Sequence, residues 1–82
     1  MSEETEVEAE IDARGLKCPL PVLKAHKRLQ EMAPGARLRL IADDPAALVD
    51  APHYCVEQGH KLLDTSRNFE GALIFLIARG ED

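Results

Sequence analysis

VEAEIDARGLKCPLPVLKAHKRLQEMA, residues 7–33, holds a strand, a turn and a helix, and its two periodicities set the fold class. Val7, Ala9, Ile11 and Ala13 alternate with Glu8, Glu10 and Asp12. A period of two predicts a half-buried strand with one polar face. Gly15 breaks it. Pro19 and Pro21 then mark a helix start, because the first helical turn has no N–H partner to lose and tolerates proline. From there to about Met32 the period is helical. Val22, Ala25, Leu29, Met32 and Ala33 share one face with His26 at its margin, while Lys24, Lys27, Arg28 and Glu31 lie opposite. Leu20 falls on the solvent side, where a polar residue is expected. Pro34-Gly35 ends the helix.

Working outward, Ala36–Ala42 alternates well enough for a second strand. Asp43-Asp44-Pro45 reads as a helix start, with a carboxylate as N-cap and proline at the first position. Pro52 is expected to divide the next segment into a short helical turn and a second piece reaching Gln58. Gly59 closes that piece as a C-cap. His60–Ser66 reads as a third strand, residues 67–71 as a loop, and Ala72–Arg79 as a strand apolar on both faces. Such a strand either lies centrally in the sheet or bears helices on one face and a partner on the other. The order β-α-β-α-β-β predicts an α+β fold, a two-layer sandwich with two helices on one face of a four-stranded mixed sheet.

Composition narrows the function. The chain has 82 residues, of which 45% are hydrophobic and 30% charged. That is a single globular domain, expected over 7–80 behind an acidic, solvated tail at 1–6. A domain this small buries roughly 60% of its unfolded surface, too little to enclose a large cofactor, so none is expected and any chemistry belongs at the surface. No apolar run reaches the ~18 residues of a membrane helix, so membrane insertion is not expected. The first ten residues are acidic and unlike a secretory leader, which makes the cytoplasm the expected compartment.

The net charge of −5 is unevenly spread. Residues 14–39 carry Arg14, Lys17, Lys24, Lys27, Arg28, Arg37 and Arg39 against Glu31 alone, whereas the rest has three basic and fourteen acidic residues. The overall sign argues against direct nucleic-acid binding, which depends on phosphate neutralisation. The local basic run points to an acidic partner, with Lys24, Lys27 and Arg28 as the docking candidates.

Cys18 and Cys55 are too few for a disulfide framework, and their spacing fits neither a redox pair nor a zinc site. His26, His53 and His60 are scattered, so no metal is expected; His26 reads as a half-buried packing residue, and His53 and His60 belong to no constellation. Cys18 is the chemical candidate. It precedes Pro19 at a helix start, near unpaired N–H groups and the positive end of the helix dipole, with Lys17 adjacent and Arg14 in the same loop. These features favour a reactive thiolate. The plainer alternative is a small side chain filling a gap. Cys55, between Tyr54 and Val56, reads as packing rather than as a resolving thiol.

The string DARGLKCPLPVLK (residues 12–24), followed by IADDP (41–45), resembles the CPxP signature of the TusA/SirA-like sulfurtransferase family. The resemblance spans roughly residues 10–80. It implies the two-layer fold of the C-terminal domain of translation initiation factor 3, in agreement with the element order. It also implies a sulfur carrier: Cys18 accepts sulfane sulfur as a persulfide from a cysteine desulfurase or rhodanese and passes it to a reactive cysteine on an acceptor protein. Such relays serve tRNA thiolation, cofactor sulfuration or sulfur oxidation. Asp12, Arg14, Gly15, Lys17, Pro19, Leu20 and Pro21 then form and support the motif, with Arg14 orienting the loop or holding the persulfide. Asp12 also reads as plain strand-end polarity, and Asp43 and Asp44 as helix caps. Some members have an acidic residue between the two prolines, where this chain has Leu20.

Two other classes stay open. A non-catalytic interaction or regulatory module predicts full function without the Cys18 sulfur. An RNA-binding domain is suggested by the fold, but Tyr54, Phe69 and Phe75 are too few for a base-stacking platform.

Overall fold

Alternating burial along the strands and a three-to-four residue spacing along the helices build the architecture that the sequence predicts. The computed structural model describes residues 7–80, so the acidic segment at 1–6 lies outside the described residues. The elements are β1 (Ala9–Asp12), α1 (Leu20–Gln30), β2 (Arg37–Ala42), α2 (Ala47–Gln58), β3 (Lys61–Arg67) and β4 (Leu73–Ala78). They form one mixed sheet in the order β1-β2-β4-β3. β1 and β2 are parallel, with Ile11 opposite Leu40. β4 runs antiparallel to both of its neighbours.

A parallel pair needs a crossover, and α1 supplies it. α1 therefore descends from the top of β1, where top means the C-terminal end of the parallel pair. α2 descends likewise from the top of β2 to the bottom of β3. Both helices thus begin at one end of the sheet. Their apolar faces meet Leu38, Leu40, Phe75 and Ile77, all fully buried. Ala25, Ala47 and Ala51 keep the helices close to the strands, and Leu29 fills the space between. Apolar burial of this kind contributes about 25 cal/mol per Å². β4 lies in the interior of the sheet, which is why both its faces are apolar: Leu73, Phe75 and Ile77 are buried under the helices, and Ile74 and Leu76 are half-buried on the open face.

Beyond one-residue shifts at the ends of β2, β3 and β4, the structure departs from the sequence reading in four places. α1 ends at Gln30, leaving Met32 half-buried and Ala33 exposed. The Arg79 side chain takes over there, donating from Nε to the carbonyl of Leu29 at 2.7 Å. β1 pairs only from Ala9, so the predicted strand is shorter at its start. α2 begins at Ala47, and Pro45 lies in the preceding turn rather than at the first helical position. Most clearly, Pro52 does not divide α2, which runs unbroken to Gln58. Proline costs this helix one N–H bond, but Ala47, Ala51, Tyr54 and Cys55 stay on one buried face across it. Packing of that face outweighs the local penalty.

The bottom of the sheet holds a cluster that the sequence reading missed. The His26 Nδ1 and the Tyr54 hydroxyl lie 2.9 Å apart, and the Tyr54 ring sits 5.5 Å from that of His60. The Gly80 N–H donates to His60 Nδ1 at 2.8 Å. A Cβ on Gly80 would stand 2.1 Å from the Gly59 carbonyl oxygen, so only glycine allows this approach. His60 thus belongs to a constellation after all, with a structural role.

Burial, followed by the charges of Arg79 and His26, holds the His60 pKa below its ordinary 6.5. A lowered histidine pKa means the folded state prefers the neutral ring, which alone can accept the Gly80 N–H. Its contribution is complete above pH 6.5 and falls as pH drops from 6.5 through the lower folded-state value. Urea unfolding of wild type should show stability falling between pH 7 and 5, with a shallower fall in His60→Asn. Identical slopes would contradict the assignment.

Candidate functional site

The Cys18 loop is held at both ends before any chemistry begins. Ala13 is fully buried and donates its N–H to the Ile41 carbonyl at 2.7 Å, extending the β1–β2 ladder by one residue. The chain then reverses at Gly15, whose φ of +85° is one that glycine adopts without strain. The Gly15 N–H is shared by the two carboxylate oxygens of Asp43, at 3.0 and 3.1 Å. Three residues on, the Cys18 N–H donates to Asp44 Oδ2 at 2.9 Å, while Asp44 Oδ1 accepts from the Ala46 N–H at 3.0 Å. Two consecutive carboxylates at the top of β2 therefore fix the loop leaving β1. The bonds from Ala46 and Cys18 hold the Asp44 carboxyl below its ordinary pKa. Neither aspartate caps α2 as the sequence reading expects: the N-cap is Ala46 with no side-chain cap bond, Asp44 orders only the turn before the helix, and Asp43 binds the Cys18 loop.

Cys18 itself is half-buried and packs against the edge of the core. The structure overturns the expectation of a ready thiolate. Burial first, then a hydrogen bond and the charge of Asp50, then the charge of Asp44, push the thiol up to about 11. The helix start offers little to offset them. Pro19 and Pro21 have no N–H, and the Leu20 N–H is bonded to the Lys17 carbonyl. Cys18 lies two residues before the first helical residue, and the Cys18–Pro19 peptide is cis. Lys17 is exposed, and its charge acts on Asp44.

Arg14 is engaged by two carboxylates. Its Nε and Nη2 grip the Asp12 carboxylate at 2.9 and 2.8 Å, and its Nη1 reaches Glu70 at 3.1 Å. These hydrogen bonds hold the Asp12 carboxyl down at about 2. Asp12 and Arg14 thus tie the end of β1 to the β3–β4 turn. An exposed pair of this kind adds little stability; its contribution is orientation.

Leu20 and Leu23 project from the first turn of α1, 48% and 55% exposed. Lys24, Lys27 and Arg28 lie on the outer face and, with Ile11 and Glu31, line a shallow groove of about 190 Å³. Arg28 is paired with Glu31 at 3.1 Å, whereas Lys24 and Lys27 have no ion-pair partner among the described residues. A second depression, of about 250 Å³, is lined by Gly15, Leu16, Lys17, Asp43, Asp44 and Pro45. Cys55 is buried in the core, and burial pushes its thiol up to about 11. Among the described residues no cluster of three or more His, Cys, Asp or Glu side chains is placed to hold a metal, and no helix is long and apolar enough to cross a membrane.

Asp50 is the residue that sequence reasoning missed. It stands 32 positions from Cys18, and local pattern gives no sign of its effect on the thiol. The available signal was topological: two helices that descend from neighbouring strand tops bring their first turns together.

Residues 9–79 match the family model described as Sulfurtransferase TusA. The sulfur carrier protein TusA of Pseudomonas paraeruginosa is 38% identical over 76 residues, covering 93% of this chain and 95% of that protein. Its counterpart in Pseudomonas entomophila is 40% identical over 75 residues, 92% of each chain. Among solved structures, a SirA-like protein from Desulfitobacterium hafniense superposes with a TM-score of 0.79 at 26% identity, covering 89% of this chain and 99% of that one.

With its proton held, Cys18 should be a slow nucleophile at neutral pH. Iodoacetamide alkylation, corrected by a Cys18→Ser background, should rise about tenfold per pH unit from pH 7 to 10 and level off only near pH 11. A plateau reached below pH 8.5 would contradict the arrangement of Asp44 and Asp50 about the sulfur.

Proposed function

The chain belongs to the TusA family, whose shared role is sulfur carriage, and we propose that it is a cytoplasmic protein-to-protein sulfur relay with Cys18 as its one chemical group. The observation that carries this reading is the position of Cys18. The only cysteine outside the core stands on a loop clamped by Asp43 and Asp44 at the end where both helices begin. The site is an open surface, so the partner completes it.

The chemistry is thiol exchange. Cys18 loses its proton, and its sulfur attacks the outer sulfur of a cysteine persulfide on the donor, a cysteine desulfurase or a rhodanese. One S–S bond forms as the donor's breaks, and the donor cysteine leaves as a thiolate that takes up a proton. Cys18 then carries the sulfur as its own persulfide. An acceptor cysteine attacks that outer sulfur, regenerating Cys18. No electrons are gained or lost overall, so the relay requires no cofactor. In this sense the protein acts as a sulfurtransferase.

Positions follow from this role. Gly15, Pro19 and Pro21 shape the loop, Asp12 and Arg14 brace its start, and Leu20 is exposed at the first residue of α1, two positions after Cys18. Lys24 and Lys27, with Arg28 beside them, form a cationic groove suited to an acidic stretch of the donor or acceptor.

Intact mass after incubation with a cysteine desulfurase and cysteine, or a rhodanese and thiosulfate, tests the reading. Wild type should gain one sulfur atom that reductant removes, and Cys18→Ser should gain none. No gain from either donor would leave the non-catalytic interaction module as the better account.

A further inference from the structure

Phe69 is the most exposed large apolar side chain among the described residues, 96% exposed at the turn between β3 and β4. A single exposed apolar residue is ordinary on a protein surface, but this one is held out by a built turn. Asn68 supplies most of it. Its Oδ1 accepts the N–H of Glu70 at 3.0 Å and of Ala72 at 2.9 Å. Its carbonyl accepts from the Gly71 N–H at 2.9 Å, and its own N–H donates to the Ala72 carbonyl at 3.0 Å. The turn stands at the end of the sheet that carries Cys18. Ala42 at the top of β2 pairs with Leu73, and Leu73 with Arg67, so the hairpin reverses level with the strand tops from which both helices descend. β4 lies two strand spacings from β1, about 10 Å. Arg14 closes that gap, reaching Asp12 at 2.8 Å and Glu70 at 3.1 Å. Glu70 adjoins Phe69, and Arg14 shares its loop with Cys18, whose N–H is fixed by Asp44. The ring and the sulfur are thus carried by two segments tied to each other.

We propose that Phe69 is the docking anchor for the protein that exchanges sulfur with Cys18, and that its ring enters an apolar pocket roughly 10–15 Å from that partner's reactive cysteine. The proposal rests on the relay reading and adds to it the means by which the partner is held. A standard interface buries about 800 Å² a side, a patch roughly 30 Å across, so a surface that meets Cys18 at this end also covers the turn. Aromatic anchors seated in pockets carry much of the affinity of such contacts. A turn already fixed by hydrogen bonds loses little freedom on docking. A membrane surface fits less well: Glu70 adjoins the ring and the chain carries a net charge of −5, which an anionic leaflet repels. A second copy seated on Phe69 would compete for the end that a partner cysteine must reach. Phe69 is a positioning residue in this scheme, acting through the pose of the bound partner.

Two kinds of sulfur donor test it. One is a protein, either cysteine desulfurase with cysteine or rhodanese with thiosulfate. The other is glutathione persulfide, too small to seat the ring. With each, the Cys18 sulfur attacks the donor's outer sulfur, one S–S bond forms as another breaks, and the departing donor thiolate takes up a proton. Loading is followed by intact mass against time. With the protein donor that loads wild type faster, Phe69→Ser should lower kcat/KM by about tenfold, the loss of one aromatic anchor. The loss should appear in KM for the carrier with kcat unchanged, as for an interaction that only holds the partner. Loading by glutathione persulfide should be the same in both proteins. Phe69→Leu, apolar but smaller, should fall between wild type and Phe69→Ser. Removal of so exposed a ring should leave the urea midpoint in place, which separates docking from folding. An unchanged rate with the protein donor, or equal slowing with glutathione persulfide, would overturn the proposal. So would wild type sedimenting as a dimer that Phe69→Ser converts to a monomer, since the ring would then belong to a second copy. Wild type that loads from no donor would overturn the relay reading and the proposal with it, an outcome distinct from these.

Discussion

One carboxylate organises the site. Asp44 Oδ2 receives the N–H of Cys18 and Asp44 Oδ1 receives that of Ala46. The loop leaving β1 and the start of α2 thus share one anchor, and removing it would free both. Charge-assisted bonds from backbone N–H to carboxylate are among the stronger hydrogen bonds in proteins, and they hold the Asp44 carboxyl ionised. The same anchor has an electrostatic consequence. A charge that fixes the backbone of a cysteine also opposes ionisation of its sulfur, and Asp50 adds to that opposition. Position and reactivity at Cys18 are therefore set against each other, which makes sense for a carrier that must survive between partners.

The fold was legible because its signals are local and consistent. Alternation at Ala9–Asp12, the apolar spacing of Val22, Ala25 and Leu29, and the two-faced apolarity of Leu73–Ala78 each report burial directly. Pro52 was misread for the complementary reason. Its local cost is visible in sequence, whereas the continuous buried face that outweighs it exists only once α2 is packed. At the site, the motif around Cys18 could be picked out by residue type alone, but its electrostatics could not. The helix-start argument treats α1 as isolated, and here two prolines lack N–H groups while Asp50 approaches from a different helix. His60 follows the same rule: its partners, Tyr54 and Gly80, meet it only through the fold.

The basic run at residues 14–39 is also reshaped by folding. Arg14, Arg28 and Arg39 pair with Asp12 and Glu70, with Glu31, and with Glu10. What looks in sequence like a cationic block contracts to Lys24 and Lys27 beside the groove at α1, and Lys17 near the loop. A small, localised cation pair on an otherwise acidic body suits selection of one docking geometry better than general attraction to polyanions.

The account stands on where the sulfur resides in the unaltered protein. After loading by a cysteine desulfurase and cysteine, alkylation with iodoacetamide and tryptic digestion, the added sulfur can be located by tandem mass spectrometry. It should lie between Cys18 and its alkyl group in the peptide Cys18–Lys24, with the Leu40–Lys61 peptide, which contains Cys55, carrying none. Sulfur found on Cys55, or shared between the two cysteines, would contradict a single-cysteine relay at the clamped loop.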